Sequence, residues 1–241
     1  MDKPYILQSQ VIFYYQRNSN IRKKVFEFES ALKNYFATPF NLIPIADELH
    51  PELPRFEAIS INNHSQLQVS QHHLSFATSY DESYKYDIHL SRKYINERVG
   101  IFKELLKDEK ILYLAYIVNL NFIKDKHLIN DYIKEKSGIK SINEETIDLN
   151  FLYSFPIMDK YYLNVKTSKY VNQNININFS ENSQESNFEY GISIEIDVNS
   201  RFLSNNNISF DELIYNDIEK SVFEVIDKND LETFLSGDIK L

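Results

Sequence analysis

The chain has 241 residues, 43% hydrophobic and 25% charged, which fits one large or two small folded domains and excludes disordered and fibrous classes. It has no cysteine, which excludes disulfides, thiolate metal sites and a cysteine nucleophile, and no apolar run reaches the ~20 residues that a membrane-spanning helix requires. The formal charge of −9 is uneven: Glu181–Leu241 holds 14 acids and four bases, whereas residues 1–180 hold 21 acids and 22 bases.

In chain order, Tyr5 to Tyr15 reads as a strand, with Tyr5, Leu7, Val11 and Phe13 on one parity. Ile21 to Phe36 reads as a helix, because Ile21, Val25, Phe28, Leu32 and Tyr35 recur at helical spacing. Pro39, Pro44, Pro51 and Pro54 then mark a long connection. Three short strands follow at Ala58–Asn62, Gln66–Ser70 and His73–Ala77, with a tight turn at Asn62-Asn63. Ser79-Tyr80-Asp81-Glu82 fits a capping box for a helix that places Tyr84, Ile88, Ile95, Val99, Phe102 and Leu106 on one face.

The order then repeats. Ile111–Phe122 reads as a central strand buried on both faces, and Lys126–Lys136 as a short helix stopped by Gly138. Residues 142–155 carry no clear period. Tyr161–Val165, Tyr170–Phe179 and Ile192–Val198 read as strands, and 180–189 as a polar surface loop. Ser209-Phe210-Asp211-Glu212 opens a helix that runs to Asp227, and Asp230 caps a last short turn ending at Gly237. The expected fold is α+β. Two similar halves, 1–110 and 111–241, each run strand, helix, antiparallel strands, helix, and form helix-covered antiparallel sheets in one globular unit.

Candidate functional residues are few. The C-terminal acids Asp211, Asp217 and Glu224 lie on the last main helix and offer a surface for a basic protein partner, against the plain alternative of a solvated acidic face. Arg22 and Lys23 sit in a helix's first turn, where cations oppose the dipole, and with Lys166 they are candidates for phosphate contacts. Glu195 and Asp197 share a strand face, and with a histidine they are the residues a hydrolase would use. Asn172, Asn174, Asn176 and Asn178 share another, read as solvent-facing. The six histidines show no metal-ligand spacing, and with 4 Gly in the chain a phosphate-cradling loop is disfavoured.

Several segments together resemble a sporadically distributed bacterial family of uncharacterised proteins of about 250 residues. They are Ile6–Tyr14, Pro54-Arg55-Phe56 with Ile59-Ser60-Ile61 and Leu67-Gln68-Val69, the Tyr84–Leu106 helix leading into Ile111–Phe122, and Ile194-Glu195-Ile196-Asp197-Val198 followed by Ile214–Phe234. An Arg-Tyr-Asn-like signature of that family corresponds here to Leu114-Ala115-Tyr116-Ile117-Val118-Asn119, which keeps the Tyr and Asn and lacks the Arg. The resemblance implies an antitoxin-like, mobile-element or phage-defence setting, with a toxin or defence effector as partner.

The expectation is a non-catalytic cytoplasmic protein-binding scaffold with no cofactor, no metal and no membrane association; Met1-Asp2-Lys3-Pro4 opens without a signal-peptide profile. The alternatives are a nucleic-acid-binding protein with a saddle-like sheet surface and a metal-dependent hydrolase.

Overall fold

The computed structural model describes residues 4–125, 127–140, 142, 146, 148–178, 183–206 and 212–241. Strand β1 (Tyr5–Tyr15) leads through a 3-10 turn (Ile21–Lys24) into α1 (Val25–Leu32). Strands β2 (Asn41–Leu42), β3 (Pro54–Ile59), β4 (Ser65–Ser70) and β5 (His73–Ser79) precede α2 (Ile88–Leu105). Then come β6 (Ile111–Ile123), α3 (Ile129–Ser137), β7 (Asn150–Ile157), β8 (Tyr161–Asn178) and β9 (Ser183–Asn199). A 3-10 turn (Arg201–Asn206), α4 (Glu212–Lys228) and α5 (Leu231–Ser236) complete the chain.

The nine strands of the described residues join one antiparallel sheet in the order β2-β3-β4-β5-β1-β6-β9-β8-β7. β1 and β6 pair over ten positions at its centre, so the two long apolar strands of the sequence become the middle of the molecule. The helices all pack on one face. Phe28 of α1 meets Phe56 of β3 with ring centres 5.2 Å apart, Phe102 of α2 meets Phe76 of β5 at 5.2 Å, and Tyr215 of α4 stacks on Tyr116 of β6 at 6.3 Å. Tyr153 of β7 donates to the Leu235 carbonyl of α5, and Lys169 of β8 donates to Asn130 of α3. The buried alternates Val11, Phe13, Leu67, Phe76, Leu114, Val118, Val165, Ile194 and Ile196 belong to one continuous core with α1, α2, α4 and α5. Burying that apolar layer at about 25 cal/mol per Å2 is the main force holding helices to sheet.

Several elements differ from the sequence reading. The helix expected over Ile21–Phe36 is a 3-10 turn followed by only two turns of α-helix, with the chain turning at residues 33–35 so that Phe36 can bridge to Ser60. β3 starts at Pro54, since Arg55 is locked inside by carbonyls of its own loop. The capping box at Ser79 does not form, because Ser79 and Tyr80 still bond in the sheet to His64 and Leu7; Asp87 caps α2 instead, accepting from the N–H groups of His89 and Leu90. β6 is fully buried on the helix side and only partly on the other, where Tyr113, Ile117 and Asn119 are half-buried while Ala115 and Asn121 are buried. The ambiguous stretch holds most of β7, and the two strands read at 161–165 and 170–179 are one, β8. Residues 183–189, read as loop, belong to β9. Phe179 and the helix start at Ser209-Phe210-Asp211 lie outside the described residues. Asp230 does cap α5 through a reciprocal box with Thr233, and Gly237 ends it in the left-handed conformation at φ 82°.

Candidate functional site

Residues paired across neighbouring strands project to the same side of a sheet. The register therefore defines rows that cross the face opposite the helices. One row runs Ile59, Gln66, Ala77, Gln10, Ile117, Asp197, Asn164, Ser154. The next crosses all nine strands: Asn41, Glu57, Gln68, Ser75, Ile12, Ala115, Asn199, Tyr162, Pro156. A third runs from Ser79 through Gln8, Asn119, Glu195 and Lys166 to Leu152. Most of these side chains are half-buried or exposed, and no helix packs over them among the described residues. The period-two alternation thus gives an oily side to the helices and an amide-rich side to solvent.

The face is internally organised. Ser154 donates to Asn164 at 2.8 Å, Asn164 donates to Asp197 at 3.0 Å, and Asn199 donates to both oxygens of Asp197 at 3.2 and 3.0 Å. Gln10 donates to Ser75 at 2.8 Å, and Asn41 to Glu57 at 2.8 Å. At one end the rings of Tyr14 and Tyr113 stack at 4.1 Å, flanked by His73 at 5.5 Å from Tyr14 and by Arg201 over Tyr113. Burial, reinforced by Tyr113, pushes the Tyr14 hydroxyl up to about 12, and burial lowers His73 against the opposing pull of Glu52. Phe202, in the last 3-10 turn, meets Tyr162 at 5.6 Å and closes this end. The three rows carry Glu57, Glu195 and Asp197 against Lys166, so the face is net negative. Preformed amide networks of this kind suit hydrogen bonding to another polar surface, because each amide offers a donor and an acceptor.

The residues singled out in the sequence are distributed over different surfaces. Asp217 and Glu224 lie two helical turns apart on α4. Asp217 accepts the Tyr161 hydroxyl at 3.0 Å. Glu224 sits between Lys228 at 3.3 Å and Lys220 at 3.5 Å, and the Lys228 hydrogen bond, with Lys220 adding to it, holds its carboxyl below the usual range. It also borders a cavity of about 200 Å3 with Pro156, Ile157, Met158 and Val225. Asp211 lies outside the described residues. On this helix Glu224 is answered by its own lysines and Glu219 by Arg92 of α2.

Arg22 is committed to the loop before β3: its guanidinium donates to the carbonyls of Ile43 and Ile45 at 2.7 and 2.6 Å and pairs with Asp47 at 3.1 Å. Lys23 donates to Asn20 at 2.8 Å on an exposed surface. Lys166 stands on the open sheet face opposite Glu195, so it shares no patch with the other two. Glu195 and Asp197 do share a face, as the alternation suggests, but Asp197 is occupied by amide donors. Among the described residues no three His, Asp or Glu side chains converge as metal ligands would. Asn172 is exposed on β8; the side chains of Asn174, Asn176 and Asn178 lie outside the description.

Two features escaped the sequence reading. The amide rows of β1 and β4 were visible only as polar alternates, and nothing in one strand says that eight others continue the pattern. The second is a node between the long helices. Glu219, 6% exposed, takes both guanidinium nitrogens of Arg92, one of them at 2.6 Å, and the amide of Asn96 at 2.8 Å. Tyr215 closes the group by donating to Asn96 at 2.5 Å. The tetrad ties α2 to α4 across the seam above β6. No protein-family model matches the chain, and comparison with curated proteins returned no match.

Proposed function

We propose that the protein is a non-catalytic binding module that docks a polar, basic protein surface on the open face of its sheet. The observation that carries this reading is one-sided cover: five helices on one face of a nine-stranded sheet, and amide side chains in register on the other. Charge favours a protein over nucleic acid, since Glu57, Glu195 and Asp197 would repel phosphates and outnumber Lys166 and Arg201. The acidic helix α4 becomes the secondary candidate, because Glu219 and Glu224 are already ion-paired and Asp217 accepts the Tyr161 hydroxyl. A toxin or defence effector is the partner that the family resemblance points to.

An internal duplication fits the same picture. From the centre outward the sheet runs β1-β5-β4-β3-β2 on one side and β6-β9-β8-β7 on the other, and each central strand is followed by a helix. Two related units meeting at β1 and β6 would generate one broad, continuous face.

Capture from lysate by the immobilised chain tests the reading. A single protein should be retained by the wild type and by Asp217→Lys/Glu224→Lys, and lost from Glu195→Lys/Asp197→Lys. Retention that ignores the sheet-face variant, or tight binding of oligonucleotides at low salt, contradicts it.

A further inference from the structure

β8 and β9 are much longer than their neighbours. The pairing of β7 to β8 ends at Asn150 and Ser168, with one further bond from Lys169 to the Leu149 carbonyl. The pairing of β6 to β9 ends at Ile123 and Gly191, with one further bond from Lys124 to the Tyr190 carbonyl. Beyond that point, among the described residues, β8 and β9 pair only with each other, over eight positions from Val171–Tyr190 to Asn178–Ser183. The result is a two-stranded ribbon reaching ~26 Å past the sheet at ~3.3 Å per residue. Such a ribbon is marginally stable by itself in water, and among the described residues no third strand pairs with either of its outer flanks.

The edges of this molecule differ in how they are protected. β2, the edge on one side, is only two residues long. β7, the other edge, contains Pro156, which cannot donate to an added strand. The ribbon flank on β9 carries Glu185 and Glu189 in its sequence. The flank on β8, Val171-Asn172-Gln173-Asn174-Ile175-Asn176-Ile177-Asn178, has no charge, no proline and no break in register. It also matches itself. An antiparallel pairing of two copies centred on Ile175 sets Asn174 against Asn176 and Asn172 against Asn178, so every Asn meets an Asn and no like charges face each other.

We infer that the β8 side of this ribbon is a self-association edge, and that its occupant is the same strand of a second copy of the chain, related by a two-fold axis at Ile175. This goes beyond the sheet-face reading, and neither depends on the other. The pairing would join two sheets through a four-stranded ribbon and leave both open faces free. A two-fold contact also closes on itself, which keeps an unprotected edge from propagating into a filament.

Sedimentation of the full chain tests this. The wild type should run as a dimer at about 0.1 mM and dissociate on dilution, as a small interface would. Asn174→Lys/Asn176→Lys and Asn174→Glu/Asn176→Glu should each be monomeric with unchanged melting temperature, and an equimolar mixture of the two should recover the dimer. Gln184→Lys/Ser186→Lys, on the β9 flank, should remain dimeric. Since the chain has no cysteine, Ile175→Cys should oxidise to a covalent dimer, its two Cα atoms lying within disulfide reach across the axis. A wild type that stays monomeric, a dimer indifferent to the lysine pair, or no covalent dimer from Ile175→Cys overturns the inference.

Discussion

Glu219 illustrates how a single side chain can set the relation between two elements that the sequence places 127 positions from its partner Arg92. Its carboxylate is buried while the guanidinium of Arg92 is part exposed, so the group satisfies its charge through three donors. Removing it strands Arg92 and Asn96 at the helix seam. Glu219→Ala should cost about 2–3 kcal/mol in urea unfolding, with Glu219→Gln costing less because it keeps the Asn96 contact. Asp230 is a smaller case with a clear pH signature. The Thr233 backbone N–H donates to its charged form and lowers its pKa. That contribution is therefore complete above the unfolded value of ~4 and is lost as pH falls through the depressed one. Asp230→Ala should cost about 1 kcal/mol at neutral pH, and the difference from wild type should shrink below pH 4. Asp230 was readable from sequence, since a cap acts within three residues. The Glu219 group was not, because its members meet only after α2 and α4 pack on the same sheet.

At the scale of elements, local signals worked where the chain is locally determined and failed where neighbours decide. The strand at Tyr5–Tyr15 and the stop at Gly138 follow from alternation and from φ 71°. Ser79, by contrast, has the right residue type for a helix cap and is claimed by the sheet. The stretch at 183–189 reads as a loop because all but Phe188 are Ser, Gln, Glu and Asn; pairing to β8, not hydrophobicity, makes it a strand. Gly191 marks where the ribbon leaves the sheet. A Cβ there would collide with the Phe122 carbonyl and the Tyr170 ring, so the position depends on glycine for close approach, not for an unusual φ. Gly191→Ala should lower stability by about 1–3 kcal/mol through overpacking. Excising residues 173–188 in favour of an Asn-Gly turn should leave the melting temperature within a few degrees of wild type, because the ribbon lies outside the core. A large loss on excision would mean that the ribbon packs back on the fold.

For the molecule as a whole, the sequence made the α+β class and the antiparallel character legible, because strand alternation and helical stripes occupy separate stretches. It did not show that all described strands enter one sheet, nor that no described helix covers its second face, since both follow from long-range pairing of β1 with β6. The acidic C-terminal helix drew attention by its charge count, yet side-chain geometry answers Glu224 with Lys220 and Lys228. What the whole fold offers instead is a broad polar sheet surface, negative in charge and fixed by its own amide network. Photo-crosslinking from defined positions in living cells addresses that claim most directly. A benzophenone side chain placed at Gln10, Asn119 or Lys166 should trap one and the same protein, while placement at Asn216 or Asp227 on α4 should trap none. Crosslinks confined to the α4 positions, or none from the sheet face, would contradict the account.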